Sequence, residues 1–177
     1  EDTLKRLQAD KAACERAIEQ LEATSRQITQ MIQQYQSRTN NSSNSSTPKG
    51  NGSMIWPASG PITSGFGGRE HPITGVYKQH TGIDIGASYG SSVVAADGGT
   101  VIYAGWMSGY GNTVILDHGG GISTLYGHMS SIAVSSGSGV SQGQVIGKVG
   151  STGYSTGPHL HFEVRINGNP TNPLAYL

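Results

Sequence analysis

Two short motifs carry the side chains best suited to chemistry: His159-Leu160-His161, and His80-Thr81-Gly82-Ile83-Asp84. In a strand, alternate side chains share a face, so His159 and His161 look into one space. His80 and Asp84 are an even number of residues apart and share a face if their segment is extended. Gly82 and the β-branched Thr81 and Ile83 favour strand over helix there. Neutral imidazole nitrogen and carboxylate oxygen are ordinary ligands for Zn²⁺. A catalytic zinc site typically takes three protein ligands and keeps one position open. The two motifs supply enough groups for such a site, with one histidine to spare. His128, at a predicted strand end in Leu125-Tyr126-Gly127-His128, is placed to reach the same groove. His118, before three glycines, reads as a turn residue, and His71, before Pro72, as peripheral.

The elements that position these groups follow from a division in the composition. All 27 glycines lie at or after Gly50, whereas 12 of the 22 charged residues precede residue 40, six of each sign. The expected organisation is a coiled-coil helix over 1–38, a flexible polar linker over 39–53 and one β domain over 54–177. Residues 3–38 lack Gly and Pro, and Leu7, Cys14, Leu21, Ile28 and Tyr35 recur every seven residues. Leu4, Ile18 and Ile32 fill the second seam position, with Lys11 and Ser25 as polar exceptions. Such a helix is about 55 Å long and needs a partner for its seam: a segment upstream, a second copy or another protein. The pattern is already helical at the first residues, which reads as a chain that continues upstream. Residues 39–53 carry no apolar side chain, which predicts a linker that lets the two parts move independently. The single cysteine, Cys14, excludes an intrachain disulfide and reads as a small core residue of the helix. Net charge is zero, which argues against nucleic acid as a partner.

From Met54 onward, short β-type runs alternate with turn signals. Strands are expected over 92–96, 100–106, 112–117, 122–126, 145–149 and 159–166, separated by Asp97-Gly98-Gly99, Gly119-Gly120-Gly121 and Asn167-Gly168. The fold class is mainly β: an antiparallel sheet of sandwich or barrel-like form, preceded by the helical arm. Loops 63–79, 105–112 and 150–158 border the expected groove and bring Tyr77, Trp106, Tyr110 and Tyr154 toward it. Glu163 continues the face of His159 and His161 and is placed to orient a ligand from behind.

Further motifs extend the pattern in order: Gly65-Phe66-Gly67-Gly68-Arg69, Val94-Ala95-Ala96-Asp97-Gly98, Tyr126-Gly127-His128-Met129 and Gly157-Pro158-His159-Leu160-His161-Phe162-Glu163. With these, residues 56–175 resemble the lysostaphin-type, or LytM-like, zinc metallopeptidases of bacterial cell walls. The resemblance implies that His80, Asp84 and His161 hold Zn²⁺, and that His159 and His128 are catalytic histidines. It implies an endopeptidase that cuts peptide bonds in peptidoglycan, in stem-peptide cross-links or glycine bridges, outside the cytoplasmic membrane. Some members of the family have lost ligands and regulate other wall hydrolases. This chain keeps all five positions, so an enzyme is expected. The alternative is a peptidoglycan-binding or amidase-activating regulator whose intact site is shielded by the helical arm.

Overall fold

A computed structural model of the chain describes residues 2–40, 50–70, 77–155 and 157–177. The run without Gly or Pro forms one helix, α1, Asp2–Asn40. Among the described residues the other regular elements are β-strands and a short 3₁₀ turn at Pro173–Ala175. In chain order the strands are β1 Ile62–Ser64, β2 Gly67–Glu70, β3 Tyr77–His80, β4 Ile83–Gly86, β5 Ser92–Val94 and β6 Gly99–Met107. They continue as β7 Gly111–Gly119, β8 Ile122–Ile132, β9 Gly139–Val140, β10 Val145–Val149, β11 His159–Ile166 and β12 Asn169–Thr171. The long central strands bury the β-branched Thr113, Val114, Ile115 and Thr124 with Leu116, Leu125 and Tyr126, residues that suit a pleated, buried surface.

Ten strands form one antiparallel sheet with the path β1-β4-β11-β8-β7-β6-β9, while β10 joins β5 to β8 and β12 extends beside β11. Strands β2 and β3 make a separate ribbon. The path has two free ends, so the sheet is not the closed barrel that glycine-rich β domains can form. Each strand expected from the sequence is present. The short β1, β2, β9 and β12 were not legible, because two to four residues carry no measurable periodicity.

Alternation sorts the central side chains to two faces. Val114, Leu116, Tyr126, Leu160, Phe162 and Val164 enter the main core with Ile83, Ile85, Val93 and Ile146. Ile115 and Leu125 point the other way, where Met107 and Tyr110 join them. That second apolar face is covered by α1: Ile28 and Ile32 are fully buried in it, with Leu21 and Met31 packed alongside. The seam was expected to pair with another helix. Over the C-terminal half of α1 it packs instead on the chain's own sheet, because the face formed by Met107, Ile115 and Leu125 needs cover as much as the helix does. Leu4, toward the other end of α1, is 60% exposed. Cys14 is a half-buried free thiol.

Most of the expected linker, 41–49, lies outside the described residues. Its edges are structured: Thr39 and Asn40 continue α1, and the backbone N–H groups of Asn51 and Gly52 donate to the Asp97 carboxylate. His71 also lies outside the described residues. His118 lies on β7 rather than in a turn, with Nδ1 2.8 Å from the Gly98 carbonyl and Nε2 2.7 Å from Thr124 Oγ1. Both ring nitrogens are thereby occupied, and burial pushes its pKa down.

Candidate metal centre

The site lies on the sheet face that α1 partly covers. On β11, His159, His161, Glu163 and Arg165 alternate with the core residues Leu160, Phe162 and Val164. Register places His161 opposite Asp84 of β4 on one side and opposite Gly127 of β8 on the other. His80 arrives differently from the sequence expectation. It ends β3 in the small ribbon, and the chain crosses to the large sheet at Thr81-Gly82 before Asp84 enters β4. His80 and Asp84 therefore meet across a change of sheet, not along one strand. Gly82 makes the crossing possible: a Cβ there would lie 2.2 Å from the Phe162 carbonyl oxygen, so only glycine lets the backbones approach this closely. His128 reaches the site from β8 with φ +60°, in the left-handed region where non-glycine residues are uncommon.

Nitrogen and oxygen atoms of His80, Asp84 and His161 lie within 4.8 Å of one another. Asp84 Oδ1 is 3.3 Å from His80 Nε2, 3.0 Å from His161 Nδ1 and 3.6 Å from His159 Nε2. The surrounding backbone fixes which nitrogen of each ring can act as a donor atom. His80 Nδ1 donates to the Gly65 carbonyl at 2.7 Å, His128 Nδ1 to Thr152 at 2.6 Å and His159 Nδ1 to Gly157 at 2.8 Å. A carbonyl only accepts, so these three rings carry a proton on Nδ1, and in their neutral form the Nε2 lone pair faces the site. His161 is reversed. Its Nε2 donates to Glu163 Oε2 at 2.7 Å, which leaves Nδ1 toward Asp84. With the facing protons of His80 and His161 displaced, two imidazole lone pairs and one carboxylate converge as a zinc ligand set does, and the donor set fits that ion. The rings of His128 and His159 stand 4.8 Å apart beside it.

The electrostatics agree. Burial opposes the charged form of Asp84, but hydrogen bonds from His161 and His80 outweigh it and hold the carboxyl well below its usual range. Burial also opposes a charged His161, yet Asp84 and Glu163 together raise the ring to about 9. Burial, reinforced by the charge on His161, lowers His128 to about 3, so this ring is neutral at physiological pH.

A cavity of about 430 Å³ opens over these groups. His80, Asp84, His128, His159 and His161 line one side with Tyr110, Tyr154 and Ser155, and Ile18, Leu21, Glu22, Ser25 and Arg26 of α1 line the other. Of the aromatic residues expected at the groove, Tyr110 and Tyr154 are there, and Tyr110 is buried with its ring 5.5 Å from that of His161. Trp106 is exposed and does not line the cavity. The side chain of Tyr77 lies outside the described residues. Gln20 of α1 hydrogen-bonds Ser108 and Tyr154 across the rim. Arg165, which the sequence reading passed over, is fully buried behind the site. Its signal was present: four polar side chains at alternate positions from His159 to Arg165, on a strand whose other face is apolar.

An open antiparallel sheet with this donor set on one face, beside two further imidazoles, defines the class of lysostaphin-type metallopeptidase domains. The pattern of peptidase family M23 matches residues 78–173, more than half of the chain, and the chain belongs to that family. It is 50% identical over 114 residues to the DD-carboxypeptidase/endopeptidase Mpg of Neisseria meningitidis, covering 64% of this chain and 26% of that protein. It is 41% identical over 126 residues to the murein hydrolase activator EnvC of Escherichia coli, covering 71% of this chain and 29% of that one. Among solved structures, the catalytic domain of the antimicrobial peptidase lysostaphin from Staphylococcus simulans superposes with a TM-score of 0.60 at 35% identity, covering 66% of this chain and 90% of that domain. The chain spans about a quarter of the length of the curated relatives named here.

Proposed function

We propose that this protein is a zinc-dependent endopeptidase that hydrolyses peptide bonds in bacterial peptidoglycan, outside the cytoplasmic membrane. The observation that carries the reading is the hydrogen bond behind each ring: backbone carbonyls and Glu163 hold one nitrogen of His80, His128, His159 and His161, so that the other nitrogen of each faces one space. His80, Asp84 and His161 would hold Zn²⁺, which when bound activates water and polarises the scissile carbonyl. His128 Nε2 or His159 Nε2 would take the proton of the attacking water. The ring that has accepted it then delivers it to the leaving amine. Thr152 and Gly157 hold the two rings in the orientation this transfer needs. Tyr110, kept as a phenol by burial, offers an O–H at the cavity wall. Among the described residues no helix is long and apolar enough to cross a membrane.

One observation favours a second reading, a regulator of another wall hydrolase with a shielded site. Leu21, Glu22 and Arg26 of α1 stand over the cavity, and the relative EnvC is a murein hydrolase activator. Digestion of purified peptidoglycan by the full chain separates the two readings. It would be run with and without a chelator, and again with Gln20→Ala/Leu21→Ala to loosen the rim. Chelator-sensitive release of peptides by the wild type supports the peptidase, and mass spectrometry of the products names the bond. Release by the rim variant alone makes α1 a shield. No release by either, with zinc bound, favours the regulator.

A further inference from the structure

Behind His161, a chain of buried polar contacts runs from the candidate ligand to α1. Glu163 is fully buried, and its Oε2 accepts from His161 Nε2 and Thr81 Oγ1, each at 2.7 Å. Its Oε1 accepts from Arg165 Nε at 2.7 Å. The Arg165 guanidinium, also fully buried, donates onward to the Gly168 carbonyl at 2.9 Å. Its remaining hydrogen bonds go to the helix: Nη1 to Thr29 Oγ1 at 3.0 Å and the Ser25 carbonyl at 3.3 Å, and Nη2 to Ser25 Oγ at 2.9 Å. Three of the five hydrogen bonds of this guanidinium therefore end on α1.

With α1 undocked, Arg165 would keep two of these five hydrogen bonds, to Glu163 and Gly168, so the docked helix completes the partners that hold the guanidinium in its buried place. Arg165 in turn holds Glu163 in place, and Glu163 sets the tautomer and plane of His161. We propose that Arg165 is a positioning residue that acts through Glu163 on His161 and so makes metal affinity at the site depend on the docking of α1. Ser25 and Thr29, neither of which contributes a metal donor, are the helix end of this connection. The inference rests on the reading of His161 as a ligand.

The test measures Zn²⁺ affinity of the full chain by competition with a chromogenic chelator, beside circular dichroism and thermal melting. Four proteins are compared: wild type, Ser25→Ala/Thr29→Val, Arg165→Met, and Val114→Ala. The last loosens the core on the opposite face of the sheet. Wild type is expected to bind one zinc ion, and the helix double variant to bind it about tenfold more weakly, at the low end of the 10- to 100-fold typical of groups that orient a ligand. Arg165→Met is expected to weaken it at least as much, and Val114→Ala to leave it unchanged despite a lowered melting temperature. If the double variant does not fold, Thr29→Val alone carries the test. Wild-type affinity in the folded helix and Arg165 variants would overturn the coupling while leaving the metal site intact. So would an equal loss in Val114→Ala, which would make the effect general loosening. A wild type that binds no zinc would overturn both this inference and the ligand assignment beneath it.

Discussion

Zinc binding to metal-stripped protein should release a proton, and His161 is its source. The ring sits between two carboxylates, with Asp84 at 3.0 Å from Nδ1 and Glu163 at 2.7 Å from Nε2, and these raise it to about 9 against the opposing effect of burial. At pH 7.5 such a ring is mostly protonated, so a cation that takes Nδ1 must displace about one proton. The sign follows directly. Protons compete with the metal below the ring's pKa, so apparent affinity rises with pH and levels off as pH passes it. Raising pH from about 6.5 to 8.0 should strengthen binding about 30-fold, or ~2 kcal/mol, for one competing proton. Calorimetric titration with Zn²⁺ in two buffers of different ionisation enthalpy gives both affinity and proton count. Release well below half a proton, with affinity flat across that range, would refute the argument: His161 would then be neutral before the metal arrives, or not a ligand.

Other substitutions separate the roles of neighbouring groups. His161→Ala should lose zinc and peptidase activity together, whereas His128→Ala should keep zinc and lose activity; metal content of both purified variants checks this, and the reverse pattern would contradict the assignment. Gly82→Ala places a methyl where 2.2 Å separates it from the Phe162 carbonyl oxygen, so it should cost about 1–3 kcal/mol in denaturant unfolding and weaken zinc binding by pushing β11 from the sheet crossing. Ile28→Ala empties a fully buried site between α1 and the sheet and should cost about 2–5 kcal/mol, read as a lower unfolding midpoint.

The parts of the site that depend on local period were legible in the sequence. His159 and His161 share a face because they stand two apart on one strand, and that follows from the pleat alone. His80 and Asp84 come together as their spacing suggested, but through a route no spacing reveals: a ribbon ends at one and the main sheet begins at the other. His128 was expected at the groove from its place at a strand end, but what aims it there, the pairing of β8 with β11 and a left-handed backbone conformation, no pattern reveals. The heptads of α1 identified a buried stripe without identifying what buries it. Ile28 and Ile32 suit a partner helix or the Met107, Ile115 and Leu125 face equally well, and only the three-dimensional sheet exposes that face. Arg165 was overlooked for a related reason. An arginine reads as solvated until the helix that receives its hydrogen bonds is in place.

The division of β11 between two faces has a consequence for how this domain can change over generations. Point substitutions at His159, His161, Glu163 or Arg165 change the polar face of the strand and leave it in register. Inserting or deleting one residue within β11 would do something else. It would turn Leu160, Phe162 and Val164 into the cavity and drive two imidazoles, a carboxylate and a guanidinium into the oil of the core. Descendants that abandon chemistry can therefore do so letter by letter, keeping the strand length fixed. Changes of length are better borne by the connections between strands.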